Sequence, residues 1–132
     1  MTEIQRDQIQ SDIEKQSEAI TDTAGRQVTV LFEQRGLDIA DAYNCHLRKI
    51  YEIALYRNIL PFRYTRNQQS FSTRDQLKLN QSCVVIAGVG GLGGYASDLL
   101  ARMGIGRLIL IDPDIFTESN YNRQRFAVNE TL

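Results

Sequence analysis

Three glycines, one aspartate and a cluster of amides and arginines carry the chemistry available to this chain. Gly88, Gly90 and Gly93 stand in "GVGGLGG", and Asp112 follows Gly88 by 24 residues. Glycine at the first two positions lets the backbone turn tightly and approach a ligand that a Cβ would push away. Gly93 lets a helix pack close to the preceding strand, and the start of that helix offers free N–H groups and a positive dipole end to a phosphate. Asp112 stands where ribose hydroxyls would be accepted. The glycines suit NAD, FAD, SAM or ATP, and with Asp112 they fit NAD best when read alone. The stretch after Asp112, "DPDIFTESNYNRQRF", changes that reading. Ser119, Asn120 and Arg123 are of little use to a hydride-transfer site, whereas a triphosphate needs a planar arginine fork and polar groups to fix its register. A second arginine source, "RYTRN" (Arg63–Asn67), precedes the glycines and contains Arg66.

These residues need a strand–turn–helix–strand frame. "CVVIAG" (Cys83–Gly88) is β-branched and apolar and reads as a buried parallel strand. A helix is expected from Gly91 to Met103, stopped by Gly104, and "RLILID" reads as a second buried strand ending at Asp112. Together they make one βαβ unit. Upstream the chain divides at Pro61. Three helices are expected before it. The first carries an apolar stripe of Ile9, Ile13 and Ile20. The second starts near Asp22 or Thr23 and ends at a Gly36 cap. The third runs from an Asp38 cap to Leu60, with Ile39, Tyr43, Leu47, Ile50 and Ala54 on one face. A short helix around Leu77 and Leu79 is expected after Pro61.

Composition bounds the function. The 132 residues are 42% hydrophobic and 23% charged, which is ordinary for a globular domain. A formal net charge of −1 points away from nucleic acid, and no apolar run approaches the roughly 20 residues that span a bilayer. The N-terminus, "MTEIQRDQIQ", has no signal-peptide core. Cys45 and Cys83 are far apart and His46 is the single histidine, so no metal-ligating set is expected and a reduced, cytoplasmic protein is the reading. The Cys45–His46 pair does not face one way on a helix.

With the motifs on the page, the chain resembles the ubiquitin-activating-enzyme-like superfamily, and within it the ThiF/MoeB/HesA members. The shared pattern is RYxR, GxGGxG and DxDxxxxSNxxRQ, and it covers Arg63 to Leu132. The resemblance implies an ATP-dependent adenylyltransferase that activates the C-terminal glycine of a ubiquitin-like or sulfur-carrier protein. It implies that Gly91 lies against the nucleotide, Asp112 binds the ribose, and Ser119, Asn120 and Arg123 line the phosphates. Arg66 would reach the phosphates of the other subunit of a homodimer, which makes Arg66 and Arg123 the expected catalytic pair. Two departures stand out: Asn67 where the family has Gln, and "RDQLKL" where it has a Gly-Gln pair before the strand.

The resemblance also implies a phosphate-binding lysine just past Leu132 and a Mg²⁺-holding aspartate beyond that. The chain is therefore expected to be α/β: a helical extension (1–60) followed by the truncated start of a Rossmann-like ATP-binding domain (61–132), inactive by itself and self-associated over its open sheet edges. Two alternatives remain open at this stage. One is an NAD-binding oxidoreductase, and the other is a non-catalytic interaction protein with a relic nucleotide fold.

Overall fold

The computed structural model describes residues 2–131, which form two compact units divided between Asn80 and Gln81. The fold is α/β, with a small mixed sheet in the first unit and a parallel strand pair in the second.

The first unit opens with α1 (Glu3–Gln16), whose first turn is capped by the Thr2 hydroxyl accepting from Gln5 N at 3.2 Å. Ile9 and Ile13, one turn apart, are fully buried. Ile20 does not continue that stripe. It lies on β1 (Glu18–Thr21), which pairs antiparallel with β2 (Gln27–Leu31). The expected helix ending at Gly36 is thus a hairpin followed by the start of another helix. The turn is built by Asp22, whose Oδ1 accepts from Ala24 N and Arg26 N at 2.8 and 2.9 Å while Oδ2 accepts from Arg26 Nε at 2.8 Å. The β-branched run Val28-Thr29-Val30 then favours a strand.

Gly36 is not a cap but sits inside α2 (Glu33–Ala42), where a Cβ would come within 2.9 Å of Leu47 Cδ1. Its job is close packing of α2 on α3 (Leu47–Tyr56). The single helix expected from Asp38 to Leu60 is broken between these two, with Asn44 at φ 49, a left-handed conformation that asparagine tolerates better than most residues. The predicted apolar face survives the break. Ile39, Ile50 and Ala54 are buried in one cluster, with Tyr43 and Leu47 packed against it.

β3 (Leu60–Pro61) adds to β2 in parallel, giving the order β1-β2-β3. Val30 and Leu31 are both fully buried because successive strand residues point to opposite faces. Leu31 joins the cluster of Ile9, Ile13 and Ile50, and Val30 joins Tyr51, Leu55, Leu60 and Tyr64. A 3₁₀ stretch (Phe62–Gln69) and α4 (Thr73–Gln81) complete the unit. α4 realises the helix expected around Leu77. Asn67, one of the departures from the family pattern, donates from Nδ2 to Oε1 of the fully buried Gln76 at 2.9 Å.

The second unit is the βαβ frame. β4 (Cys83–Ala87) pairs in parallel with β5 (Arg107–Ile111), and α5 (Gly91–Met103) joins them and ends at Gly104. Type and order are those expected, the helix limits match, and each strand ends one residue short of its expected end, at Ala87 and Ile111. Burial is not. Val84 and Ile86 are half-buried, but Val85 and Ile111 are 58% and 54% exposed. The reading of both strands as buried is corrected here. Apolar composition shows that a strand can be covered, and among the described residues of this unit one helix crosses the pair, so one sheet face stays open.

Candidate functional site

The candidate site grows from the end of β4. The chain leaves the strand through Gly88, whose φ of +86° is left-handed, and Gly88 N donates to Ile111 O at 2.8 Å. This bond ties the turn to the end of β5. Gly90 precedes α5, whose N-terminus has no side-chain cap, so its first N–H groups and dipole end are not neutralised by the protein's own acceptors. Gly93 is a packing residue: a Cβ there would stand 1.7 Å from Gly88 O. At Gly91 a Cβ would meet Arg123 O at 3.6 Å, an ordinary contact.

Asp112 closes the turn from the other side. Its Oδ2 accepts from Val89 N at 2.6 Å and its Oδ1 from Asp114 N at 3.0 Å. These bonds, that from Val89 first, hold the carboxyl below its ordinary value of 3.8. A cavity of about 330 Å³ opens beside the turn. Gly90, Asp112, Asp114 and Gln124 give it a polar side, and Leu110, Ile115, Phe116 and Phe126 an apolar one. Such a mixed wall suits a small molecule with a flat apolar part and a polar tail.

Of the residues singled out in the sequence, Gly90 and Asp112 line this cavity, with Gly88 and Gly91 framing the turn. Ser119, Asn120 and Arg123 are beside it in the chain but are not among its lining residues. They are engaged with their own loop. Thr117 and Asn120 form a reciprocal capping box, Asn120 Oδ1 accepting from Thr117 N at 2.8 Å. The Ser119 and Thr117 hydroxyls are 2.9 Å apart, and Arg123 Nη1 donates to Ser119 O at 2.9 Å. Arg125 and Arg102 both reach Asp98 on α5, at 3.3 and 3.0 Å, which anchors the loop that carries Arg123. Arg66 belongs to the first unit, on the exposed side of the 3₁₀ stretch. Asp114, Gln124 and the apolar wall were missed as lining residues. Their signal was adjacency to Asp112 and Arg123 within motifs already marked.

The comparisons with known proteins follow the same residues. A model of the ThiF family matches residues 64–132, just over half of the chain. The chain belongs to the ThiF family. Within the family it is 38% identical over 69 residues to the tRNA threonylcarbamoyladenosine dehydratase of Bacillus subtilis, covering 52% of this chain and 27% of that protein. It is 48% identical over 64 residues to the adenylyltransferase and sulfurtransferase MOCS3 of Drosophila yakuba, 47% of this chain and 14% of the relative. It is 42% identical over 57 residues to the ubiquitin-like modifier-activating enzyme 5 of Drosophila erecta, 43% of this chain and 14% of the relative. The chain thus matches less than a third of the length of each of these ThiF-family relatives. No solved structure matches it.

Two other features carry less. Burial pushes the Cys45 thiol up, with nearby Lys49 opposing, and Cys45 packs against the first unit's core, so it is not an activated nucleophile. Among the described residues no group of three or more His, Cys, Asp or Glu could hold a metal ion, and no helix is long and apolar enough to cross a membrane.

Proposed function

We propose that this chain carries the nucleotide-binding turn of an ATP-dependent adenylyltransferase acting on the C-terminal glycine of a ubiquitin-like or sulfur-carrier protein. The observation that carries the reading is the uncapped α5 N-terminus, framed by Gly88, Gly90 and Gly91 and opening beside a cavity with Asp112 on its wall. A phosphate would be met there by backbone N–H groups and the helix dipole, and a base by the apolar wall. In the reaction, a carrier carboxylate oxygen attacks the α-phosphorus and the bond to the bridging oxygen breaks. Pyrophosphate leaves, and an acyl-adenylate remains. Charge grows on the phosphate oxygens in the transition state, and cations held near them lower the barrier. Arg123 is the cation beside the turn, its Cγ 4.0 Å from where a Cβ on Gly91 would stand. In the proposed homodimer, Arg66 is offered to the partner's site. Ser119 and Asn120 would give up their side-chain bonds to Thr117 in exchange for phosphate contacts.

Among the described residues no group of three or more carboxylates, histidines or cysteines could hold Mg²⁺. The printed names of the relatives include both carrier-protein enzymes and a tRNA dehydratase. The net charge of −1 favours the carrier over RNA for this part of the protein.

The test is exchange of labelled pyrophosphate into ATP by the whole protein, with a carrier, with the same carrier lacking its terminal glycine, or with tRNA. Exchange is expected only with the intact carrier, and Arg123→Ala should abolish it. Exchange supported by tRNA instead would replace the carrier in this reading. NADH binding that ATP does not displace would remove the adenylyltransferase itself.

A further inference from the structure

Arg66 is exposed, and its guanidinium has no hydrogen-bond or ion-pair partner among the described residues. The backbone that carries it is held on both sides. Before it, Phe62 stacks on Phe32 with ring centroids 4.6 Å apart. Arg63 Nη2 donates to both carboxylate oxygens of Glu33, at 2.7 and 2.6 Å. Tyr64 meets Tyr51 edge-on at 6.2 Å within the buried cluster. After it, Arg26 Nη1 donates to Gln68 O at 3.0 Å, while its Nε and Nη2 are engaged by Asp22, whose side chain is only 3% exposed. Phe32, Glu33, Tyr51 and Arg26 all precede residues 64–132, the span of the family match. A part of the chain outside the match therefore grips the segment that carries Arg66.

We propose that Glu33 and Arg26 are positioning residues that clamp the 3₁₀ stretch from either side and so aim Arg66 at the nucleotide's phosphates. The inference rests on the phosphate role proposed above for Arg66. A 3₁₀ helix repeats every three residues with a rise of about 2 Å, so Arg63 and Arg66 share one ridge about 6 Å apart. The pair with Glu33 fixes that ridge one turn before Arg66, and Arg26 fixes the backbone two residues after it. Glu33 is also taken by Arg63, which leaves the charge of Arg66 for an outside anion. An arginine on a loose loop gives up its freedom each time it meets a ligand, whereas one on a clamped backbone has given up part of it beforehand. An exposed ion pair adds little to global stability, so the clamp is read at Arg66 and not in a melt.

Equilibrium binding of ATP and of adenosine to the whole protein tests this. The variants are Arg66→Ala, the clamp variant with Glu33→Gln and Arg26→Lys, and all three changes together. Lysine keeps the charge opposite Asp22 but lacks the planar fork that spans Asp22 and Gln68 O. Arg66→Ala is expected to weaken ATP by roughly 10- to 100-fold, the worth of hydrogen bonds between charged groups, and to leave adenosine unchanged. The clamp variant should weaken ATP by roughly 3- to 10-fold, the cost of ordering one long side chain on binding. It should leave adenosine unchanged, cost nothing further once Arg66 is alanine, and keep wild-type amide-exchange protection in β2 and α3. If that protection falls, Glu33→Gln alone, at a half-exposed position, must show the same ATP-selective loss. ATP binding by the clamp variant equal to wild type, an equal loss for adenosine, or a loss that persists in the Arg66→Ala background overturns the clamp and leaves the nucleotide reading standing. Arg66→Ala that binds ATP as the wild type does removes Arg66 from that reading, and this inference with it. A wild type that does not bind ATP removes both.

Discussion

Replacing Gly93 and Gly91 by alanine, one at a time, separates what the fold needs from what a ligand needs. At Gly93 the new Cβ would stand 1.7 Å from Gly88 O and 2.8 Å from Gly88 C, where 3.0 Å is the shortest separation real Cβ atoms show. The glycine turn and α5 must therefore part by about 1.3 Å, and the obstacle is backbone, which cannot rotate away. Overpacking of this kind costs about 1–3 kcal/mol and occasionally more, and so rigid a clash belongs at the upper end. Alanine returns up to about 1 kcal/mol through its helix propensity. Gly93→Ala is expected to destabilise the second unit by at least about 2 kcal/mol on balance. At Gly91 the nearest atom is Arg123 O at 3.6 Å, so the propensity gain stands nearly alone. Gly91→Ala should be neutral or up to about 1 kcal/mol more stable. Because the chain has two compact units and no tryptophan, a global melt is a poor reporter. Amide hydrogen exchange across 83–111 reads the unit directly. Protection in Gly93→Ala equal to wild type, or Gly91→Ala losing as much as Gly93→Ala, would refute the packing argument. If Gly91→Ala keeps its protection but loses ATP, the glycine is required by the nucleotide and not by the fold.

Two predictions concern the first unit. Asn67→Ala removes a donor to fully buried Gln76 and should cost about 1–3 kcal/mol in urea denaturation, whereas Asn67→Gln should recover part of it; an unchanged midpoint for Asn67→Ala would show that the bond is idle. The Tyr51 hydroxyl is buried with no hydrogen-bond partner among the described residues, and burial pushes its pKa up to about 12 from an ordinary 10.0. Since the folded value is the higher, the stability tied to the neutral phenol is complete below pH 10.0 and is lost as pH rises through about 12. Phenolate absorbance should show one tyrosine titrating late, and Tyr51→Phe should remove that component without destabilising the protein. A Tyr51→Phe variant that is markedly less stable would show that the hydroxyl has a partner after all.

The βαβ frame was legible in the sequence because its signals are local. An apolar β-branched run, a glycine turn, a helix stopped by Gly104 and a second run lie in order within the span from Cys83 to Ile111. The hairpin was not legible to a reading that took Gly36 for a helix cap. Its signals were present in Asp22 with Gly25 and in the Val28–Val30 run, but a close-packed glycine within a helix looks like a cap until the facing Leu47 is known. The break between α2 and α3 spans Tyr43 to His46 with Asn44 left-handed, and a helical apolar period running through it concealed the change. At the site, residue types were readable and their engagements were not. Nothing in "DPD" says that the first aspartate spends both oxygens on backbone N–H groups while the second keeps its own free. Burial of the strands was the least legible feature, since it depends on what lies across them and not on their own residues.

The open face between β4 and β5 has a consequence for how the chain behaves as a colloid. Among the described residues the parallel sheet has two strands, so neither is interior, and each turns a row of backbone donors and acceptors outward. Val85 and Ile111 add oily patches to that template, and a net charge of −1 supplies almost no repulsion between molecules. In a preparation of residues 1–132 alone, lateral strand pairing is expected to limit solubility before loss of folding does. A single lysine on the solvent side of β4 is then expected to keep such a preparation clear without raising its thermal stability.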